Sequence, residues 1–278
     1  MSHNLPINSA LHEASLLYAE KIKEKTNNKI QIIVYPAQKL GDDYKTIELT
    51  RLGKIDILLT PTSKMSTAVP SMQYADIPFL FPTREDAYSL LDGKVGQMIL
   101  SDLNDIDLRG VTFWENGFKH FTANSQLISP KDFENKKIRV MKSRIIMEQF
   151  KALGAKAIPI DFHKTKKALA DKVVDGQENP LVAIVNMEFH KVQSNLTISE
   201  HAYLPYTFSI SKKSISKFSI DIQNIFCETD KYCRVVHPDL QGFSGRTKIK
   251  QKFKINKKPI DVFFPPKWNV RMSSNGFR

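Results

Sequence analysis

Within its first 60 residues the chain alternates between two hydrophobic periods, and that alternation limits the fold more than any other feature. Leu11, Ser15, Tyr18, Ala19 and Ile22 recur at helical spacing and share one face, with Lys21, Glu24 and Lys25 largely elsewhere. This predicts an amphipathic helix over about residues 9–26, ended by Asn27-Asn28. Ile30-Gln-Ile-Ile-Val-Tyr, a β-branched run closed by Pro36, reads as a buried strand. Asp42 is placed to cap a second helix that carries Ile47 and Leu52 and stops at Gly53. Ile55-Asp-Ile-Leu-Leu-Thr reads as the next strand. Helix, strand, helix, strand is the rhythm of an α/β fold in which helices cover a parallel sheet.

The rhythm resumes further on. Val111-Thr-Phe-Trp, Ile138-Arg-Val-Met, Ala157-Ile-Pro-Ile, Leu196-Thr-Ile-Ser and Tyr206-Thr-Phe-Ser-Ile are strand-like, and helices are expected over about 143–153 and 163–172. Asp175-Gly-Gln-Glu-Asn-Pro reads as a loop. A long helix is expected from about Lys212, with Phe218, Ile222, Ile225 and Phe226 on one face. With 278 residues and no internal repeat, two α/β lobes exchanging strands fit best.

The net charge of +12 suggests a nucleic-acid partner until it is placed along the chain. Residues 1–209 hold 26 Lys+Arg against 24 Asp+Glu, whereas residues 210–278 hold 15 against 5. The excess therefore sits in the last quarter. There Lys248, Lys250, Lys252 and Lys254 alternate without stacking aromatics, and no nucleic-acid-binding motif accompanies them. A solvated basic face and no nucleic-acid partner are the reading. No stretch reaches the roughly 18 apolar residues of a membrane span, so a soluble protein is expected. The opening Met-Ser-His-Asn-Leu-Pro has neither the basic start nor the apolar run of a secretory signal, weak evidence for a cytoplasmic location. Cys227 and Cys233 lie six apart in a helix-like segment, a spacing that points them to different faces, and they read as structural.

Linear signatures of catalysis are missing. The seven histidines (3, 12, 120, 163, 190, 201 and 237) have no metal-ligand spacing, and no nucleophile elbow, phosphate loop or dinucleotide-binding turn occurs. The carboxylate pairs Asp42-Asp43 and Glu85-Asp86 stand where helix starts favour negative charge. No cofactor and no metal are expected.

Six segments, taken together and in order, resemble the extracytoplasmic solute-binding proteins of tripartite ATP-independent periplasmic (TRAP) transporters, the dicarboxylate-binding (DctP-like) branch in particular. They are Ala37-Gln-Lys-Leu-Gly, Asp76-Ile-Pro-Phe-Leu-Phe, Trp114-Glu-Asn-Gly-Phe-Lys-His-Phe, Lys136-Lys-Ile-Arg-Val, Val173-Val-Asp-Gly-Gln-Glu-Asn-Pro and Leu196-Thr-Ile-Ser-Glu-His-Ala-Tyr. The resemblance covers about residues 4–233. It implies a two-lobed periplasmic binding protein fold with a long connecting helix and a ligand cleft between the lobes. One lobe would take residues 1–121 plus about 207–245, and the other 122–206 plus about 246–278. It further implies a periplasmic, non-enzymatic monomer that closes on a small mono- or dicarboxylate and delivers it to a membrane permease.

The family's carboxylate-pairing arginine falls at Arg139, in the Ile-Arg-Val strand. A planar guanidinium offers a carboxylate two parallel charge-assisted bonds, although an arginine in such a strand can also reach solvent. A second family arginine falls at Lys119, which keeps the charge but loses the fork. The amide of the Gln-Glu-Asn-Pro segment falls at Asn179. Trp114, Phe118 and Phe79 are candidate cleft walls, with core packing as the alternative, and Thr60 and Thr62 offer hydroxyls at the carboxyl end of a strand. The position of the ligand-contacting glutamate of sialic-acid binders falls near Pro61, which disfavours that ligand. Two rivals remain: an enzyme anchoring an acid on Arg139 with His201 or Glu178 as acid/base, and a non-transporting relative. The latter draws on His237-Pro238, Gly242 and Gly245, which interrupt the expected hinge helix.

Overall fold

A computed structural model describes residues 1–230 and 261–263. The first half contains β1 (Ser2–His3), α1 (Ala10–Lys25), α2 (Asp43–Arg51), β2 (Ile57–Pro61), α3 (Thr62–Met65), α4 (Arg84–Asp92), α5 (Lys94–Ser101) and β3 (Leu108–Ala123). There follow β4 (Lys137–Val140), α6 (Arg144–Ala152), β5 (Lys156–Pro159), α7 (Thr165–Ala170), β6 (Gly176–Pro180), α8 (Leu181–Asn186) and β7 (Asn195–Thr197). The last described elements are β8 (Tyr203–Ser211), α9 (Lys212–Ile215), α10 (Ile220–Thr229) and β9 (Asp261–Phe263).

Local chemistry sets the helix starts, at Asp42 as the sequence suggests. The Ser9 side chain accepts the His12 N–H at the start of α1, whose buried residues are Leu11, Ala14, Ser15, Tyr18 and Ile22. Asp42 accepts the Lys45 N–H at the start of α2, and Thr83 with Asp86 forms a capping box for α4. The Tyr18 hydroxyl donates to the Phe226 carbonyl and ties α1 to α10.

Among the described residues the strands form one continuous sheet in the order β1-β2-β8-β3-β6-β4-β5, with β7 pairing β3 and β9. The long strand β3 is its spine. Leu108 to Phe118 pair antiparallel with β8, and from Lys119 to Ala123 the strand pairs with β6, joined by β7 from Phe121. Just before this change of partner the ladder slips between Glu115 and Gly117. Gly117 has φ +109°, a conformation that side chains disfavour, so a glycine fits this bulge. Two apolar clusters cover the sheet. In β2, Ile57 and Leu59 join one and Leu58 the other, the period of two expected of a strand buried on both faces.

Four features differ from the sequence expectation. The sheet is mixed: β1–β2, β5–β4–β6 and β7–β9 are parallel, but β3 and β8 run antiparallel to their neighbours. Residues 30–34 form no strand, and Ile30, Ile32 and Val34 are half-buried against the core. They lie at the sheet edge, where Tyr35 alone bridges to Ser2 and Gln31 and Ile33 are exposed. Residues 176–180 are not a loop but the fully buried strand β6. Its polar side chains are tolerated there because each finds a buried partner, as described below. The helix expected from Lys212 is broken at Ser216–Ser219 into α9 and α10, with Phe218 in the link. Its proposed continuation through His237-Pro238, like Cys233 and the basic run from Lys248, lies outside the described residues.

Gly176 is wedged between β3 and β4. A Cβ added there would stand 2.6 Å from the Thr122 carbonyl oxygen and 3.0 Å from the Ala123 Cβ. Gly176→Ala should therefore destabilise the fold by about 1–3 kcal/mol, read as an earlier midpoint in urea unfolding.

Candidate functional site

The candidate site lies around the middle of the sheet, where the partner change in β3 brings charged side chains out of water. Arg139 on β4 lies opposite Ile158 of β5 and Gln177 of β6, and its side chain is 0% exposed. Its Nε–H donates to the Ile160 carbonyl oxygen at 3.0 Å, which fixes the plane of the guanidinium. Nη1 and Nη2 are buried and have no hydrogen-bond partner among the described residues. Burial lowers the guanidinium to about 10, opposed by the negative charges of Glu178, Asp161 and Asp43, so it stays protonated at neutral pH. A buried cation with two orphaned donors offers the fork that a carboxylate fits.

Beside it stands a second polar group. The Asp43 carboxylate is 2% exposed and accepts the Asn4 amide on Oδ1 at 2.8 Å, with the Thr60 hydroxyl on the same oxygen at 3.5 Å. Asn4 in turn accepts the Tyr206 hydroxyl at 2.9 Å. The Lys64 ammonium lies 3.7 Å from Asp43 Oδ2 and 5.0 Å from the centre of the Tyr44 ring. Burial raises the Asp43 carboxyl and lowers the Lys64 amine, and each partner's charge opposes the other's shift. The Tyr44 hydroxyl and Thr62 Oγ1 are buried without hydrogen-bond partners among the described residues.

A third group brackets the spine. Lys119 on β3, 0% exposed, meets Glu178 Oε1 at 2.9 Å and Asp76 Oδ1 at 3.6 Å. Glu178 Oε2 takes His201 Nε2 at 2.7 Å, and the His201 ring stacks on Phe121 with centroids 3.9 Å apart. Burial alone would raise the Glu178 carboxyl, but Lys119 and the His201 hydrogen bond hold it at about 2. Burial outweighs Glu178 at His201 and lowers its pKa, so the ring is neutral at pH 7 and donates through Nε2. Asp76 accepts Ser63 at 2.6 Å and Ser143 at 2.9 Å. Its carboxyl is nevertheless raised by burial, since Lys119 stands closer to Glu178.

The other expected residues are engaged with neighbours of their own. Asn179 is buried on β6 and donates to the Gln177 side chain at 2.6 Å, while Gln177 donates to Thr122 at 2.9 Å. Trp114 lies in the core against Phe208, with its indole N–H donating to the Asp230 carboxylate. Phe118 packs edge-on against Tyr203. Phe79 adopts φ +56°, and its N–H donates to the His201 carbonyl oxygen at 2.8 Å. Sequence reasoning did not single out Asp43, Lys64, Tyr44, Asn4 or Asp76 as site residues. A signal existed for Asp43: of the Asp42-Asp43 pair only one can cap α2, which leaves the other free for another role.

Several contacts cross between the two halves of the sheet. Gln38 donates to Asp161 at 3.1 Å, His163 Nε2 meets the Asn4 carbonyl oxygen at 2.7 Å, and the Ile145 N–H donates to Gln73 at 3.2 Å. Among the described residues, no His, Cys, Asp and Glu cluster could hold a metal ion and no helix is long and apolar enough to cross a membrane.

A two-halved sheet joined by shared strands, with an orphaned buried guanidinium at the join, is the architecture of a solute-binding protein. Residues 1–254 match the family described as bacterial extracellular solute-binding protein, family 7 (DctP), and the chain belongs to that family. It is 34% identical over 206 residues to the C4-dicarboxylate-binding protein DctB of Bacillus subtilis, covering 74% of this chain and 59% of that relative. Among solved structures, a TRAP periplasmic solute-binding protein of Sulfurospirillum deleyianum with bound succinate superposes with a TM-score of 0.88. It shares 28% identity, over 95% of this chain and 86% of that one. The sugar acid binding protein DctPAm of Advenella mimigardefordensis, in complex with galactonate, gives 0.85 at 30% identity, over 95% and 85%. The family and these relatives are binding proteins and not enzymes.

The Lys119–Glu178–His201 group carries a pH signature. A carboxyl held below its ordinary 4.5 stabilises the fold above that pH and loses the contribution as pH falls toward 2. Glu178→Gln should cost about 3 kcal/mol at neutral pH by leaving Lys119 poorly matched. In denaturant titrations the gap between wild type and variant should close between pH 4.5 and 2.

Proposed function

We propose that this protein captures a small organic acid, a mono- or dicarboxylate, in the periplasm by closing two lobes on it, and presents it to a TRAP-type membrane permease. The observation that carries the reading is the buried guanidinium of Arg139, aimed by its bond to Ile160 while Nη1 and Nη2 lack partners among the described residues. A ligand carboxylate accepting from both nitrogens satisfies them and neutralises the charge. The relatives with bound succinate and galactonate support the same class of ligand.

We take the lobe boundary at the partner change in β3, between Phe118 and Lys119. The bonds Gln38–Asp161, His163–Asn4 and Ser143–Asp76 then join one lobe to the other and support reading this conformation as the closed one. Asn179, Thr60 and Thr62 are proposed as polar walls, and Phe79, Phe118 and Trp114 as aromatic bracing. Lys119, already matched by two carboxylates, acts on the ligand through the frame it holds together. The protein works as a monomer without cofactor, metal or nucleic acid, since closure needs only the two lobes of one chain.

Arg139→Ala should weaken binding of the cognate acid by about 2–5 kcal/mol, roughly 30- to several-thousand-fold in titration calorimetry. Arg139→Lys should recover only part of this, because an ammonium lacks the fork. Undiminished binding by the alanine variant would sink the proposal.

A further inference from the structure

Around Arg139 the protein places more than a carboxylate clamp. Asp43 has its two oxygens in different states: Oδ1 is held by Asn4 and Thr60, whereas Oδ2 is buried without a hydrogen-bond partner among the described residues. Asn4 is itself held by Tyr206, so the Tyr206–Asn4–Asp43 chain fixes which oxygen is satisfied. A buried carboxylate oxygen accepts and cannot donate while ionised, so the matching ligand group is a donor. Tyr44 and Thr62, each with an unpartnered buried hydroxyl, can both donate and accept.

Charge argues in the same direction. Lys64 stands 3.7 Å from Asp43 Oδ2, so its ammonium is already matched in sign. The negative charges acting on Arg139 are those of Glu178, Asp161 and Asp43, and Lys119 matches the first of these. One ligand carboxylate on Arg139 therefore meets an unpartnered cation. A second, placed toward Lys64, would be forced against Asp43 in surroundings where screening is weak.

We infer that the ligand is a hydroxylated monocarboxylate, of the aldonic- or uronic-acid class, with its carboxylate on Arg139 and a hydroxyl donating to Asp43 Oδ2. This rests on the reading of Arg139 as the carboxylate anchor. Tyr44 and Thr62 serve the neighbouring hydroxyls, and Lys64, 3.7 Å from Asp43 Oδ2, favours the ionised, accepting form against the effect of burial. Discrimination comes from the cost of leaving Asp43 Oδ2 unmatched when the ligand lacks a hydroxyl.

The test is titration calorimetry of the full chain with three sets of acids: D-glycerate, D-erythronate and D-galactonate; their counterparts propionate, butyrate and hexanoate, which lack the hydroxyls; and succinate. One polyhydroxy acid should bind about 10- to 100-fold more tightly than its counterpart and than succinate. Asp43→Asn should erase most of that ratio, and Tyr44→Phe should reduce it a few-fold while removing only one hydroxyl. A ratio measured within one variant does not depend on how much of the sample is folded. Preference of the wild type for succinate, or an unchanged ratio in Asp43→Asn, overturns the hydroxyl assignment and leaves Arg139 untouched. Full binding by Arg139→Ala, or no binding of any acid by the wild type, overturns the anchor and this inference with it.

Discussion

Burying charge is the constraint around which the middle of this protein is built. Arg139, Lys119, Asp76, Glu178 and Asp43 are each at most 2% exposed, and removing an ion from water costs several kcal/mol even after relaxation. The protein meets that cost unevenly. Lys119 is enclosed by Glu178 and Asp76, and Glu178 is completed by His201. Among the described residues Arg139 receives a single carbonyl bond and Asp43 is hydrogen-bonded on one oxygen. The first group is complete within the protein and rigidifies the join of the two halves. The second is incomplete among the described residues, and it is where we propose that the ligand carboxylate and hydroxyl bind.

Fold and site depend on the same strands. β6 reads as a loop because Gly-Gln-Glu-Asn-Pro has no apolar period. It is a strand because Gln177 finds Thr122, Glu178 finds Lys119 and Asn179 finds Gln177. Local pattern cannot register partners that lie 55 to 59 residues away in the chain. The same reasoning covers residues 30–35. Their β-branched run does favour extension, but whether an extended segment is buried depends on its place in the sheet, and here that place is the edge.

What could be read from the sequence was local or carried by resemblance. Asp42 announces its helix because a cap interacts within three residues of itself. Arg139 was legible as a candidate through its strand and the motif around it, and its burial agrees with a strand position. Asp43 and Lys64 were not, because their roles arise from opposition across space: a carboxylate turned by Asn4, and an ammonium laid over Tyr44. The cleft aromatics illustrate the reverse limit. Trp114 and Phe118 sit in recognisable segments, yet their prominent contacts are with Phe208, Asp230 and Tyr203.

The spine strand β3 runs unbroken from one half of the sheet into the other, with no linker between them. A side chain in a strand changes face with every residue, so the two halves share one count. A single residue added between Gly117 and Lys119 would turn Lys119 away from Glu178 and Phe121 away from Phe133, while leaving the pairing of Leu108 to Gly117 with β8 in place. Mutational tolerance in this protein should therefore be asymmetric. Single substitutions along β3 act locally, whereas length changes act on the second half as a whole, so β3 is the segment least able to accept insertions or deletions.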